Sequence, residues 1–307
     1  MVSNGNGSVW NTPLSAGLAS AGQLSANRTS VRIARIIRRM SGGSQAQLVQ
    51  CDDGNSYVAK FLGNPQGSRT LINEWIVSRL LSAMRISTPT LRVLELPSAF
   101  QNRDEVYFLG GTKRTLPQGV LHLGSQCPVD PEKTAVFDFL PDKLLLKVGN
   151  LAEYATMYVF DQWVGQSDKR QAIFVRDRKV TAGIGFRGYF VDHGLAFDGE
   201  RWQLLDRPRC GLAFQSKIYS ALDLAALVEN ALCQVESINE TTLFTAADGV
   251  PSSWFAPGDR EALDTLLVKL RRRQVNLRPL IARHLPALCA YAGADPGEVL
   301  KGSAPLA

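Results

Sequence analysis

The stretch that decides the fold is Asp161-Gln-Trp-Val-Gly-Gln-Ser-Asp-Lys-Arg-Gln171, which is followed further along the chain by Tyr189-Phe-Val-Asp-His-Gly194. Each stretch places an acidic residue, Asp168 or Asp192, beside an apolar segment and a turn. Phosphoryl transfer needs one carboxylate that orients or accepts the proton of the attacking hydroxyl and a second that holds a metal ion. Asp168 and Asp192 are therefore candidates for these two roles.

A short polar turn between two predicted strands is a candidate phosphate-binding element. The strands are predicted at 31–37 and 47–51 from their alternating apolar residues. Glycine and serine let backbone N–H groups approach an anion closely, although most turns of this composition only reverse the chain. The turn consists of Ser41, Gly42, Gly43, Ser44 and Gln45.

Lys60 and Glu74 form a second candidate pair. Lys60 lies in a strand predicted at 56–62 and shares one face of that strand with Val58 and Leu62. An inward-facing ammonium needs a carboxylate partner, because burying an unpaired charge costs a large free energy. Glu74, in the helix that follows, can supply this carboxylate. The alternative is a surface lysine and an exposed glutamate.

The order of the predicted elements indicates an α+β fold. Strands dominate the first third of the chain, and one helix interrupts them. Helices dominate afterwards, with a small hairpin between the helices predicted at 150–164 and 221–235. Residues 1–29 lack periodicity and predict a disordered tail, whereas the Gly, Pro and Gln of residues 111–135 predict an irregular connection. The predicted helices are 68–84, 150–164, 221–235, 259–273 and 276–291, and the predicted hairpin strands are 172–175 and 188–191.

Composition narrows the class and the compartment. The 307 residues, 45% of them hydrophobic, exceed the usual size of one domain and predict two lobes. We expect a cytoplasmic protein without membrane attachment, because no apolar run is long enough to cross a bilayer and no secretory signal is evident. Five scattered cysteines fit reduced thiols. The net charge of +6 favours anionic partners without choosing among them.

Five segments, in order between residues 40 and 194, carry a resemblance to a known family that covers roughly residues 31–285. They are Met40-Ser-Gly-Gly-Ser-Gln45, Tyr57-Val-Ala-Lys-Phe-Leu-Gly-Asn-Pro-Gln-Gly67, Asn73-Glu74-Trp75, Phe160-Asp-Gln-Trp-Val-Gly165 and Val191-Asp-His-Gly194. The family that they resemble is the HipA-like kinase domain. This family is bacterial and shares its fold with Ser/Thr protein kinases and phosphoinositide kinases.

The resemblance implies a bilobal protein-kinase-like fold with a β-rich N-lobe at 30–112, a helical C-lobe at 113–307, and ATP with Mg²⁺ between them. It implies that Asp168 handles the proton of a protein Ser or Thr hydroxyl, while Glu74 holds Lys60 in place. Phosphate would be bound by the 41–45 turn together with Lys60, and Mg²⁺ by Asp192.

The catalytic loop departs from the family pattern Asn-x-Asp-x-His-x-x-Asn. Asp168 is kept, but Gln166, Arg170 and Ile173 stand at the three other positions. Isoleucine cannot coordinate Mg²⁺, whereas Gln171 can supply an amide oxygen if the loop is shorter than in the family. We therefore predict that Asp192 and Gln171 are the metal ligands. Nucleotide binding is better supported by these residues than efficient phosphoryl transfer.

Three functions from different classes stay open. The first is an active Ser/Thr-type kinase that uses ATP and Mg²⁺ and acts on a protein substrate. The second is a pseudokinase, a nucleotide-binding regulatory module with little catalytic activity. The third is a nucleic-acid-associated protein with only indirect contact, since family members can work with DNA-binding antitoxins. The basic run at 269–273 fits the solvated end of a helix more simply than a nucleic-acid patch. The sequence carries no signal of oligomeric state.

Overall fold

The computed structural model describes residues 30–101, 106–110, 113–178 and 184–294, and over these ranges the chain has a mixed α+β fold. The predicted disordered tail at 1–29 lies outside the described residues. None of the helices within these ranges combines the length and the apolar character that a bilayer crossing requires.

The elements follow the predicted order, with additional short helices and strands. The described strands are β1 (Ser30–Arg39), β2 (Gln47–Cys51), β3 (Ser56–Lys60), β4 (Leu91–Glu95), β5 (Phe108–Gly110), β6 (Lys113–Thr115), β7 (Leu121–Gln126), β8 (Val136–Phe137), β9 (Gln171–Arg176) and β10 (Phe186–Val191). The described helices are α1 (Arg69–Ala83), α2 (Ser98–Gln101), α3 (Asp142–Leu145), α4 (Glu153–Val164), α5 (Lys217–Ser220), α6 (Leu224–Glu236), α7 (Glu240–Thr245), α8 (Asp259–Val275) and α9 (Leu277–Ala292). Two 3₁₀ turns are Ala196–Arg201 and Ser252–Trp254.

Five strands close into a small barrel in the order β1-β2-β3-β7-β4, and the parallel pairing of β1 with β4 completes it. Alternate side chains of each strand point inward and form a separate apolar core. This core includes Ile33, Val49, Tyr57, Ala59, Phe61 and Leu94. Lys60 follows Ala59 and so lies on the face of β3 that points away from the barrel core, where it is nevertheless buried.

Strand β7 shows that the prediction of an irregular connection at 111–135 is wrong. β7 pairs with both β3 and β4, and its Leu123 lies opposite Lys60. The surrounding Gly, Pro and Gln residues are typical of loops, and the strands that pair with β7 are remote in sequence, so the local sequence does not predict this strand. The barrel therefore takes in residues beyond 112, where the sequence places the end of the β-rich lobe.

Helix α1 is buried on most sides, because it packs between the barrel and the helices that follow. Its apolar side chains, including Leu71 and Leu80, belong to the same core cluster as those of α4, α6, α8 and α9. Trp163 of α4 is fully buried, and its indole N–H donates to the Leu270 carbonyl at 3.0 Å. A single large core thus fixes α1 against the helical part of the chain.

Strands β9 and β10 form the predicted hairpin, and β8 adds a third strand to it. The antiparallel register places Gln171 opposite Val191 and Ile173 opposite Tyr189. Residues directly opposite in such a pair have their side chains on the same face. Gln171 therefore lies next to the backbone that leads into Asp192.

His122 on β7 provides a pH-dependent test of the barrel. Its Nδ1 accepts the Leu62 N–H at 3.0 Å, and burial lowers the pKa of His122 to about 3. An unfolded histidine titrates near pH 6.5, so the stability contributed by His122 is complete above about pH 6.5 and is lost as the pH falls toward 3. We expect His122 to account for a loss of about 2 kcal/mol in the free energy of unfolding between about pH 7.5 and pH 5.

The measurement is urea unfolding of the wild type and of His122→Asn at both pH values. The Asn side chain offers an oxygen to the Leu62 N–H but takes up no proton, so the variant should lose less stability on acidification. The comparison at the higher pH reports any direct damage from the substitution. Equal losses in the two proteins would contradict the assignment.

Candidate functional site

Lys60 lies between two carboxylates that come from distant parts of the chain. Its Nζ donates to Glu74 Oε2 on α1 and to Asp192 Oδ1, the latter at 2.8 Å. Lys60 is the last residue of β3 and projects from the barrel toward α1. The structure thus brings together three of the residues that the sequence singles out, Lys60, Glu74 and Asp192.

The contacts in this cluster favour a protonated Lys60 and an ionised Asp192. Burial disfavours the Lys60 ammonium, but attraction to Glu74 and Asp192 outweighs this effect and raises the pKa of Lys60. Burial raises the pKa of Glu74, and the nearby Lys60 opposes that rise. The Lys60 charge lowers the pKa of Asp192, so this carboxylate is anionic at neutral pH.

Asp192 sits on a sharp turn at the end of β10. Its φ of 60° is in the left-handed region, which is uncommon for residues other than glycine and often marks a functional turn. A Cβ atom on Gly194 would lie 3.2 Å from the Thr70 Cβ, which is tighter than an ordinary contact, so a larger residue here would require the turn or α1 to shift slightly. The Asp192 side chain is 37% exposed, and its Oδ2 has no hydrogen-bond donor among the described residues.

Asn73, adjacent to Glu74, fastens α1 to the segment that follows Asp192. Its fully buried amide donates to the carbonyls of Gly194, Ala196 and Gly199 at 2.9 to 3.0 Å. Its Oδ1 accepts the indole N–H of Trp202 at 2.6 Å. Sequence reasoning includes Asn73 only as part of a motif and misses this role, because its four partners lie more than a hundred residues away.

A second buried ion pair connects the loop of Asp168 to the same turn. The side chains of Arg170 and Asp161 are both fully buried, and Arg170 Nε donates to Asp161 Oδ2 at 2.8 Å. Arg170 also donates to the Val191 carbonyl at 3.1 Å and lies 2.9 Å from His193 Nδ1. Arg170 departs from the family pattern, and here it acts as a structural cation. His193 is likewise buried, and its Nε2 lies 3.2 Å from the Thr88 hydroxyl.

Asp168 is exposed and is not in contact with the Lys60 cluster. Its Oδ1 accepts the Lys169 N–H at 2.7 Å, and its carbonyl accepts the Gly211 N–H at 2.9 Å. The Arg170 N–H donates to the Leu212 carbonyl at 3.0 Å, so the loop runs alongside residues 211–212. Asp168 is therefore held by backbone pairing, with its carboxylate accessible to a ligand.

The turn at 41–45 lies at the end of the barrel that carries Lys60. Gln47, just after the turn, pairs with Ala59, the neighbour of Lys60. The Gln45 side chain exchanges two hydrogen bonds with the Leu109 backbone, each of 2.7 Å, and so anchors the turn. The N–H groups of Gly42, Gly43 and Ser44 have no acceptor among the described residues, and such groups can bind an anion. Ser41 and Gly42 are exposed.

The residues around Asp192 fit a divalent cation that arrives with phosphate groups. Mg²⁺ usually takes one or two protein oxygens and completes its coordination with phosphates and water. Asp192 offers an anionic, partly exposed carboxylate, and Gln171 lies opposite Val191, the residue before Asp192, in the register of β9 and β10. Ile173 shares that face and offers no ligand atom. The described residues contain no cluster of three His, Cys, Asp or Glu side chains that would bind a metal by itself.

Comparison with known proteins identifies the family. A sequence model of the family described as HipA-like kinase matches residues 33–278. Among curated proteins, no sequence matches significantly. Similar solved structures include hydra Fam20 with sugar, which has 15% identity, a TM-score of 0.45, and coverage of 81% of this chain and 86% of that chain. Another is the Golgi casein kinase with Mn/ADP bound, with 11% identity, a TM-score of 0.40, and coverage of 81% and 73%.

Variants of the Asp161–Arg170 pair can distinguish the contribution of side-chain packing to the free energy of unfolding from that of the ion pair. Arg170→Met should destabilise the protein by about 3 to 5 kcal/mol, because it leaves Asp161 buried without a counter-charge. The double variant Asp161→Leu/Arg170→Met removes both charges and should be considerably more stable than Arg170→Met. The free energy of unfolding in urea, measured for all four members of the double-mutant cycle, checks this. Additive effects of the two substitutions would contradict the pairing.

Proposed function

The chain belongs to the HipA-like kinase family, and we propose that it transfers the γ-phosphate of ATP to the hydroxyl group of a protein Ser or Thr. The observation that carries the proposal is the convergence of Lys60, Glu74 and Asp192. A buried lysine between a helix carboxylate and a partly exposed carboxylate is the arrangement that phosphoryl transfer requires for positioning a nucleotide.

We place the nucleotide between a small lobe and a large lobe. The small lobe corresponds to the barrel with α1, including β7, and the large lobe to the helices from α3 onward together with the β9–β10 hairpin. The Lys60 ammonium would face the phosphates, with Glu74 holding its position. The free N–H groups of the 41–45 turn would approach the phosphates from the barrel side.

The remaining residues supply the chemistry of transfer. Asp168, accessible at the end of its loop, would orient the acceptor hydroxyl and take up its proton. Asp192 and Gln171 would hold Mg²⁺, which neutralises phosphate charge when bound. Arg170 keeps the loop of Asp168 in register with the turn of Asp192, since it contacts both segments.

A pseudokinase is the second candidate, and Ile173 favours it. Ile173 occupies the family's second metal position, and its place on the hairpin, opposite Tyr189, provides no oxygen for a cation. If Gln171 does not substitute, the chain would bind nucleotide and signal through a partner. Both candidate functions include a nucleotide site, but only the active kinase transfers the γ-phosphate.

Lys60→Met tests the nucleotide site. Removing the charge that faces the phosphates should weaken the affinity for ATP with Mg²⁺ by about tenfold or more. Isothermal titration with a non-hydrolysable ATP analogue measures this, and Lys217→Met, at an exposed position of α5, is the matched control. Unchanged affinity in Lys60→Met would show that the nucleotide binds elsewhere or not at all.

Asp168→Asn separates the two candidate functions. Asn keeps an oxygen for the Lys169 N–H but cannot accept the hydroxyl proton, so transfer should fall by about a hundredfold or more while ATP affinity is retained. Asp192→Asn should reduce both. Incorporation of labelled phosphate into protein substrate mixtures and into the chain itself measures transfer. Equal background incorporation in the wild type and both variants would exclude the active kinase and leave the pseudokinase.

A further inference from the structure

A basic cavity of about 500 Å³ lies between residues 203–206 and the corner where α8 meets α9. It is separate from the Lys60 cluster and has no part in the proposed transfer. Its lining includes four cationic side chains and a single carboxylate, namely Lys269, Arg272, Arg273, Arg283 and Asp206. The cavity therefore carries a surplus of positive charge.

The single carboxylate is fully occupied by two of the arginines. Arg273 Nη1 donates to Asp206 Oδ1 at 2.7 Å, and Arg283 Nη2 donates to Oδ2 at 3.2 Å. Arg273 is also anchored by two hydrogen bonds to the Gln162 carbonyl, at 3.0 and 3.1 Å. Lys269 and Arg272 are exposed and form no ion pair within the described ranges. These two cations remain available to an anionic partner.

Stabilisation of a helix end explains only part of this arrangement. Cations in the last turn of α8 interact favourably with its carbonyl end. That effect does not require Arg283, which belongs to α9, or a concave wall formed by residues 203–206. Cations gathered from two helices around one cavity repel each other, and a bound anion relieves that repulsion.

We propose that this cavity docks an acidic, partly apolar segment of the protein acceptor. The identity of the partner as the acceptor rests on the proposed function, whereas docking itself needs neither nucleotide nor transfer. The exposed Leu205 and the partly buried Leu204 add apolar surface beside the cations and suit aliphatic side chains that alternate with carboxylates. The lining residues include no aromatic side chain for stacking nucleobases, which argues against single-stranded nucleic acid.

The cavity wall is continuous with the loop of Asp168. A Cβ atom on Gly165 would lie 3.6 Å from Leu204 Cα, so the wall packs directly against the residue that begins this loop. Further along, Cys210 Sγ donates to the Ser167 carbonyl at 3.4 Å. The cavity wall is therefore in packing contact with the loop that carries Asp168.

The test is direct binding to the full chain in the absence of nucleotide. The probe is a fluorescein-labelled peptide of alternating Glu and Leu, followed by fluorescence anisotropy. Lys269→Glu/Arg272→Glu should weaken binding by about tenfold or more, because two attractive charges become repulsive. Arg79→Glu/Lys217→Glu makes the same change of net charge at exposed positions outside the cavity and should have a much smaller effect.

Three results would overturn the proposal. One is equal weakening by the cavity pair and the control pair, and another is equal binding of a peptide with Gln in place of Glu. The third is tighter binding of a single-stranded oligonucleotide of the same charge, with the same dependence on Lys269 and Arg272. The milder Lys269→Gln/Arg272→Gln pair, checked by urea unfolding, keeps the test decisive if charge reversal disturbs folding. Peptide docking without ATP binding would remove the kinase proposal, and with it the identity of the partner as the acceptor, but would leave the docking of an acidic segment standing.

Discussion

A buried ammonium that two remote carboxylates must neutralise is the constraint on which the site depends. Lys60 ends a barrel strand, Glu74 lies on α1, and Asp192 follows a hairpin in the helical part of the chain. An unpaired charge in this environment would cost several kcal/mol, so these three elements can meet in only a narrow range of positions. The left-handed backbone of Asp192 and the close contact of Gly194 with α1 are consequences of that requirement.

Two ion-pair networks contact the turn at residues 191–194, and each holds this turn against a different part of the chain. The Lys60 cluster fixes the turn relative to the barrel and α1. The Arg170 network fixes it relative to the loop of Asp168, since Arg170 contacts Asp161, the Val191 carbonyl and His193. Because the two sets of contacts involve different atoms of the same turn, Asp168 and Asp192 are held in a defined relation without touching each other.

Local chemistry made part of this arrangement predictable from sequence. The pair of Lys60 and Glu74 is predicted because an inward-facing strand lysine needs a carboxylate and because the family resemblance places both residues at the site, whereas their spacing alone also fits two surface residues. β7 could not be predicted in the same way, since its stability comes from β3 and β4 rather than from its own residues. Arg170 is read from sequence as a departure from a pattern, and only tertiary contact shows that it pairs with Asp161. The convergence of Lys269, Arg272 and Arg283 likewise depends on how α8 turns into α9.

The four hydrogen bonds of Asn73 tie α1 to residues 194–202. One end of these connected segments carries Glu74, the partner of Lys60, and the other leads directly into the wall of the basic cavity at residues 203–206. A ligand that displaced this wall would therefore act on the Lys60 cluster through residues 194–202 and α1, which are directly connected. Thermodynamic linkage requires any coupling between the two ends to be reciprocal, so a ligand that changed the affinity at one end would be affected by the same factor at the other.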